Sequence, residues 1–128
     1  MADKKPNSGI KSHRDLLVWQ KGMDMTEATY RLTARFPKEE MYGLVSQMRR
    51  CSVSIPSNIA EGFGRDNTGS FVQHLRIAQG SLKELETQIM ISVRVGHCTS
   101  TATDVLLASC EELGKMLRAL IRSLQEQS

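Results

Sequence analysis

The sequence predicts an all-α protein, an antiparallel up-down-up-down four-helix bundle with a proline kink in helix two. Three observations predict it. Four long segments carry apolar residues three and four positions apart, the spacing of one helix face, and none shows the strict alternation of a half-buried strand. Gly, Pro and cap-forming residues separate these segments at short intervals, which makes consecutive helices antiparallel neighbours. Aromatics are 5% of the 128 residues, leaving the core to Leu, Ile, Val, Met and Ala and favouring helices over a sandwich. A chain of this length forms one domain around one core.

Residues 1–11 are polar, contain Pro6 and Gly9, and are expected to form a flexible basic arm ahead of a bundle domain over 12–128. Helix one is expected to start at the capping box Ser12 to Asp15 and to stop near Phe36 and Pro37. Its expected seam is Leu16, Trp19, Met23, Thr26 and Tyr30. Pro37 then suits the opening of helix two, with Glu39 and Glu40 in a first turn where the helix dipole favours anions. Helix two runs to about Phe63 on the apolar stripe Leu44, Met48, Cys51, Ile55, Ile59 and Phe63. Inside it Pro56 removes an amide and crowds the Ser52 carbonyl, at roughly 3 kcal/mol unless compensated. Hydroxyls of Ser52, Ser54 and Ser57, or water, are the expected compensation.

Gly62 to Gly64 breaks the pattern, and Asp66 or Asn67 is placed to cap helix three. Phe71, Leu75, Ala78, Leu82, Leu85, Ile89 and Ser92 then alternate four and three apart, a heptad-like seam extending to about Val95. Gly80, beside the small Ser81, is expected to mark a close backbone approach. Gly96 ends helix three, and Thr101 to Asp104 offers a capping box for helix four. The last seam is Leu106, Cys110, Leu113, Leu117, Leu120 and Leu124, and Arg118 and Arg122 lie where the dipole favours cations.

The net charge of +3 has a definite origin. Lys4, Lys5, Lys11 and Arg14 against Asp3 make residues 1–14 carry +3, and the other 13 basic residues balance 13 acidic ones. Attraction to polyanions therefore comes from the arm or from local clustering. No run reaches the roughly 20 apolar residues of a membrane span, and the first residues lack the apolar stretch of a signal peptide. A cytoplasmic protein with no membrane partner is expected. Cys51, Cys98 and Cys110 are odd in number and irregularly spaced, so reduced thiols are expected rather than disulfides.

One residue out of step with the apolar stripe of helix two runs a polar series: Arg50, Ser54, Asn58, Glu61 and Arg65. It borders the seam rather than opposing it, and His74, Ser81, Glu84 and Gln88 form a counterpart on helix three. The bland reading is a solvated face. Next comes a satisfied polar network or protomer interface through Ser54, Asn58, Glu61, Ser81 and Glu84, with Arg50 or Arg65 paired to an acid. The third is a ligand-facing site, with Arg49, Arg50 and Arg65, aided by Lys4, Lys5 and Lys11, meeting nucleic-acid phosphates. Glu61 and Glu84 are a candidate carboxylate pair, but the Glu-x-x-His motifs of four-helix di-metal proteins are missing, the histidines being His13, His74 and His97. His97 and Cys98 are adjacent at a helix end and are expected to be turn residues. No metal or cofactor is expected, and with neither a nucleophile elbow nor a triad setting, no enzymatic activity.

The string SIPSNIAEGFGR, preceded by QMRR and followed by IAQGSLKELETQI, closely resembles the family of small bacterial four-helix proteins called 23S rRNA intervening-sequence proteins, or S23-like proteins. The resemblance extends from LLVWQKGM through FPKEEMYGL to the last helix. It implies a four-helix protomer, usually a homopentamer, similar in fold to the accessory variability determinant proteins of diversity-generating retroelements, which bind nucleic acid. No established catalysis comes with it. The expected function is a homo-oligomeric nucleic-acid-binding or accessory scaffold, the alternative a protein–protein adaptor, and a weaker alternative an enzyme.

Overall fold

Four α-helices form the chain in the computed structural model, which describes residues 9–127. They are α1 (Leu17–Thr33), α2 (Leu44–Phe63), α3 (Thr68–Arg94) and α4 (Ser100–Gln127), with short 3-10 turns at His13–Asp15 and Lys38–Glu40. Among the described residues there is no strand. Packing runs round a square: α1 meets α2 and α4, α3 meets α2 and α4, and among the described residues the backbones of the diagonal pairs stay more than 8 Å apart at Cα. With short connections this is the antiparallel up-down-up-down bundle expected from the sequence. Lys4 and Lys5, and most of the proposed arm, lie outside the described residues, whereas Ile10 packs against the core.

The core follows the apolar periodicity most faithfully in α3. Every residue of its expected seam, Phe71 to Ser92, is buried. In α2 Met48, Cys51, Ile55, Ile59 and Phe63 are buried as expected, with Leu44 half-buried. In α4 the seam holds until the last turns, where Ile121 is buried and Leu120 is only partly so.

Helix one departs from the expected register. Met23 and Tyr30 are 45% and 41% exposed, while Val18, Gly22, Met25, Thr29 and Thr33 face inward. Threonine tolerates burial here because its hydroxyl donates one turn back, Thr29 to the Met25 carbonyl and Thr33 to the Thr29 carbonyl, each at 2.8 Å. A count of bulky apolar residues misses such a face.

The helix starts also shift. Ser12 and Asp15 do form the capping box, but it closes the His13–Asp15 turn, and α1 begins only after an extended Leu16. Pro37 precedes the 3-10 turn rather than opening α2, whose first turn is held by Glu40: its Oε1 accepts the Leu44 amide at 3.2 Å. The Thr101 capping box is replaced by Thr99, whose hydroxyl accepts the Ala102 amide at 3.1 Å. Asn67 caps α3 as expected, accepting the Ser70 amide at 2.7 Å, and Gly96 takes the left-handed conformation that ends it.

Pro56 sits inside a helix that continues on both sides of it. The Ser52 carbonyl it frees is not met by the expected serines. Ser52 donates to the Arg49 carbonyl and Ser54 turns to α3, while the Thr26 hydroxyl of α1 lies 2.9 Å from the Ser52 oxygen. The close approach of α2 and α3 is likewise not at Gly80, around which a Cβ would meet nothing within 4 Å. It is at Gly62, a helical residue, where a Cβ would stand 2.6 Å from the His74 Cβ.

Candidate nucleic-acid interface

The polar stripe of α2 meets its counterpart on α3 along the tightest helix pair of the bundle. Ser54 and Ser81 share a hydroxyl–hydroxyl hydrogen bond at 2.9 Å. The Asn58 amide donates to the Ser54 carbonyl at 2.8 Å and to its hydroxyl at 3.0 Å, and the Cys51 thiol reaches the Ser81 carbonyl at 3.3 Å. Burial, and secondarily the Glu84 carboxylate, pushes the Cys51 thiol up to about 12. It is therefore protonated at neutral pH and unsuited to be a nucleophile. Beside this network a groove of about 270 Å³ is lined by Gln47, Arg50, Cys51, Ser54, Ser81 and Glu84.

The sequence-predicted arginines diverge. Arg49 and Arg50 are a hundred or so degrees apart around the helix, so only one can face the groove. Arg50 does, exposed and without a carboxylate in ion-pairing range among the described residues. Arg49 turns the other way onto α1: its Nε donates to the Thr33 hydroxyl at 3.0 Å, a terminal nitrogen donates to the Tyr30 carbonyl at 3.3 Å, and its guanidinium lies 4.5 Å from the Tyr30 ring centre. The bonds tie α2 to the last turn of α1, where the Tyr30 carbonyl also accepts the Ala34 amide at 3.1 Å.

At the far end of α2, Arg65 pairs with Glu61 at 2.9 Å, and the His74 Nε2 of α3 lies 3.4 Å from the same carboxylate. Arg65, then His74, holds the Glu61 carboxyl below the usual carboxylate range. Lys11 has an exposed side chain, and its backbone amide donates to Asp15 at 2.9 Å. The structure thus gathers Arg50, Ser54, Ser81 and Glu84 around one groove, sets Asn58 behind it, and separates Glu61 with Arg65 at one end.

Two contacts had no sequence signal because their partners are distant in the chain. Thr26 with Ser52 is one. The other is His97 with Glu40 at 2.6 Å, which joins the α1–α2 and α3–α4 connections at one end of the bundle. His97 and Cys98 do occupy a turn, and the His97 ring packs on Phe36 with centres 5.4 Å apart. All three cysteines are free thiols. Among the described residues no three His, Cys, Asp or Glu side chains converge on a point that would hold a metal, and no helix is long and apolar enough to cross a membrane.

These features define a class: a small four-helix bundle with a polar, arginine-bearing seam between its second and third helices. Residues 14–119 match the 23S rRNA-intervening sequence protein family, and the chain belongs to that family. In fold it is similar to a protein of unknown function from the S23 ribosomal protein family of Bacteroides thetaiotaomicron. That likeness has a TM-score of 0.74 at 20% identity and covers 82% of this chain and 98% of the other. None of the curated proteins matches the chain.

Proposed function

We propose that this protein is a non-catalytic, self-associating scaffold that binds nucleic acid in an rRNA context, by phosphate charge and shape rather than by base sequence. The observation that carries the reading is Arg50, a guanidinium that lines a polar groove with no carboxylate in ion-pairing range among the described residues, in a family named for an rRNA segment. The basic excess of residues 1–14 adds a second cationic element. Self-association is supported by large apolar side chains left in solvent, among them Tyr42 at 94%, Val105 at 77% and Leu17 at 68%. A homopentamer, as the family resemblance implies, would repeat each cationic patch five times. A cytoplasmic location fits this role.

Anisotropy titration of labelled RNA and DNA across a salt series tests the reading, with light scattering on the same samples. Binding that falls steeply with salt, varies little with sequence and weakens in Arg50→Ala and Arg65→Ala supports it; salt-independent or absent binding rejects it. A second reading, a protein–protein adaptor, is favoured by a groove of about 460 Å³ between α3 and α4 whose lining sets Met90, Ile91, Val93 and Leu107 among polar residues that include Arg94 and Asp104. A strictly monomeric species rejects the ring.

A further inference from the structure

Between α3 and α4, away from the arginines already described, lies a groove of about 340 Å³ whose lining includes three cations, Arg76, Lys83 and Arg118, and no carboxylate. Gly80 of α3 and Gly114 of α4 also open onto it. Arg76 lies one turn before Gly80, and Arg118 one turn after Gly114. Because the helices are antiparallel, those offsets bring both guanidiniums to the same end of the groove, with Lys83 towards the other. The only acid engaging this set is Glu86, which holds Lys83 at 3.1 Å; neither Arg76 nor Arg118 has a carboxylate in ion-pairing range among the described residues.

Interior glycine is the least favourable helix residue after proline, so two of them opening on one groove need a reason. Gly114 has little in the core, since a Cβ there would make only an ordinary contact with Leu82 at 3.6 Å. Gly80 has none, for a Cβ there would meet nothing within 4 Å. What its missing side chain does is leave the groove floor open between walls of like charge.

We propose that this α3–α4 groove is a phosphate-binding site, in which Arg76 and Arg118 clasp a phosphate of a nucleic-acid backbone over the open floor at Gly80. The proposal rests on the nucleic-acid reading above and assigns that binding a different surface from Arg50. Planar guanidiniums suit the task because each offers paired N–H donors to phosphate oxygens, and two from opposite walls neutralise the charge. Lys83 supplies a point charge towards the next phosphate, and Arg122, exposed one turn beyond Arg118, continues the track along α4.

The test uses the full chain, a labelled uridine 20-mer and a DNA duplex of equal length, with sodium tripolyphosphate as a free-phosphate probe. Arg76→Ala/Arg118→Ala is expected to weaken RNA binding roughly tenfold or more at moderate salt and to lower the salt slope by about 0.7, one phosphate contact on a single strand. Gly80→Leu keeps every charge and improves helix propensity, so it is expected to hold or raise the thermal midpoint while weakening binding by filling the floor. If both variants bind as the parent does, the groove inference is overturned and the nucleic-acid reading stands. If the parent binds no nucleic acid, that reading falls and tripolyphosphate decides the groove. A thermal upshift abolished in the double-arginine variant then supports a free-polyphosphate site; no upshift, or one the variant retains, overturns it.

Discussion

The Thr26 hydroxyl of α1 lies 2.9 Å from the Ser52 carbonyl of α2, the acceptor that Pro56 deprives of its helical donor. A proline inside a helix thus becomes an interhelical tie rather than an isolated defect. The same hydroxyl lies 2.9 Å from the Gly22 carbonyl, and a Cβ at Gly22 would sit 3.5 Å from the Pro56 ring, so hydroxyl, glycine and proline form one contact. Ser52 is fully buried, so no water replaces a lost donor cheaply.

Thr26→Val preserves shape and removes the donor. It is expected to destabilise the fold by about 1–3 kcal/mol in urea denaturation. The cost should shrink in a Pro56→Ala background, where an amide at 56 again serves the Ser52 carbonyl. Equal costs in both backgrounds would show that Thr26 and Pro56 act independently.

Two glycines should respond oppositely to alanine. At Gly62 the new Cβ meets the His74 Cβ at 2.6 Å, an atom fixed to the α3 backbone, so the helices must part; a loss of about 1–3 kcal/mol is expected despite better helix propensity. At Gly80 nothing stands in the way, and Gly80→Ala is expected to raise stability by roughly 0.5–1 kcal/mol. Paired denaturation curves check both signs.

How far the fold was legible follows from which interactions are local. The α3 seam was readable because seven residues keep one register over six turns and all but Ser92 are apolar. The α1 face was not, since Thr29 and Thr33 are buried by hydroxyls bonding back along the helix, which no apolar count registers. In the candidate site helical spacing aligns Ser54 with Asn58 on α2, whereas the bond from Ser54 to Ser81 crosses to α3 and follows from packing. Arg49 was not separable from Arg50 on composition, yet one step around the helix turns it from the groove to Tyr30 and Thr33. Contacts between connections, such as Glu40 with His97, span 57 residues and leave no local trace.

Thiol chemistry gives a third prediction. Burial pushes Cys51 and Cys110 up to about 12 and raises half-buried Cys98 as well. Ellman's reagent at pH 8 is expected to label Cys98 first, leaving two thiols unreacted until the protein unfolds. Labelling of two or three cysteines in the native state, at the rate of a free thiol, would contradict the packed α2–α3 and α3–α4 seams.

The last prediction concerns Glu40. Its carboxyl is held below the usual carboxylate range first by the His97 side chain and then by the Leu44 amide. A depressed folded value means that the charge stabilises the fold fully above the ordinary carboxylate value and that the contribution is lost as pH falls through the folded value. Glu40→Gln keeps an oxygen for the Leu44 amide and removes only the charge. Its melting temperature should therefore fall below that of the parent at pH 7, and the gap should close on acidification to about pH 2. Asp15, Glu61 and Glu112 are depressed too, so the difference between variants, not the whole acid limb, carries the information. His97→Ala should remove the same acid-sensitive part of the gap, and adding Glu40→Gln to it should change little. A gap that persists to pH 2 would mean that what Glu40→Gln loses is not the charge, and so not the ionised pairing across the two connections.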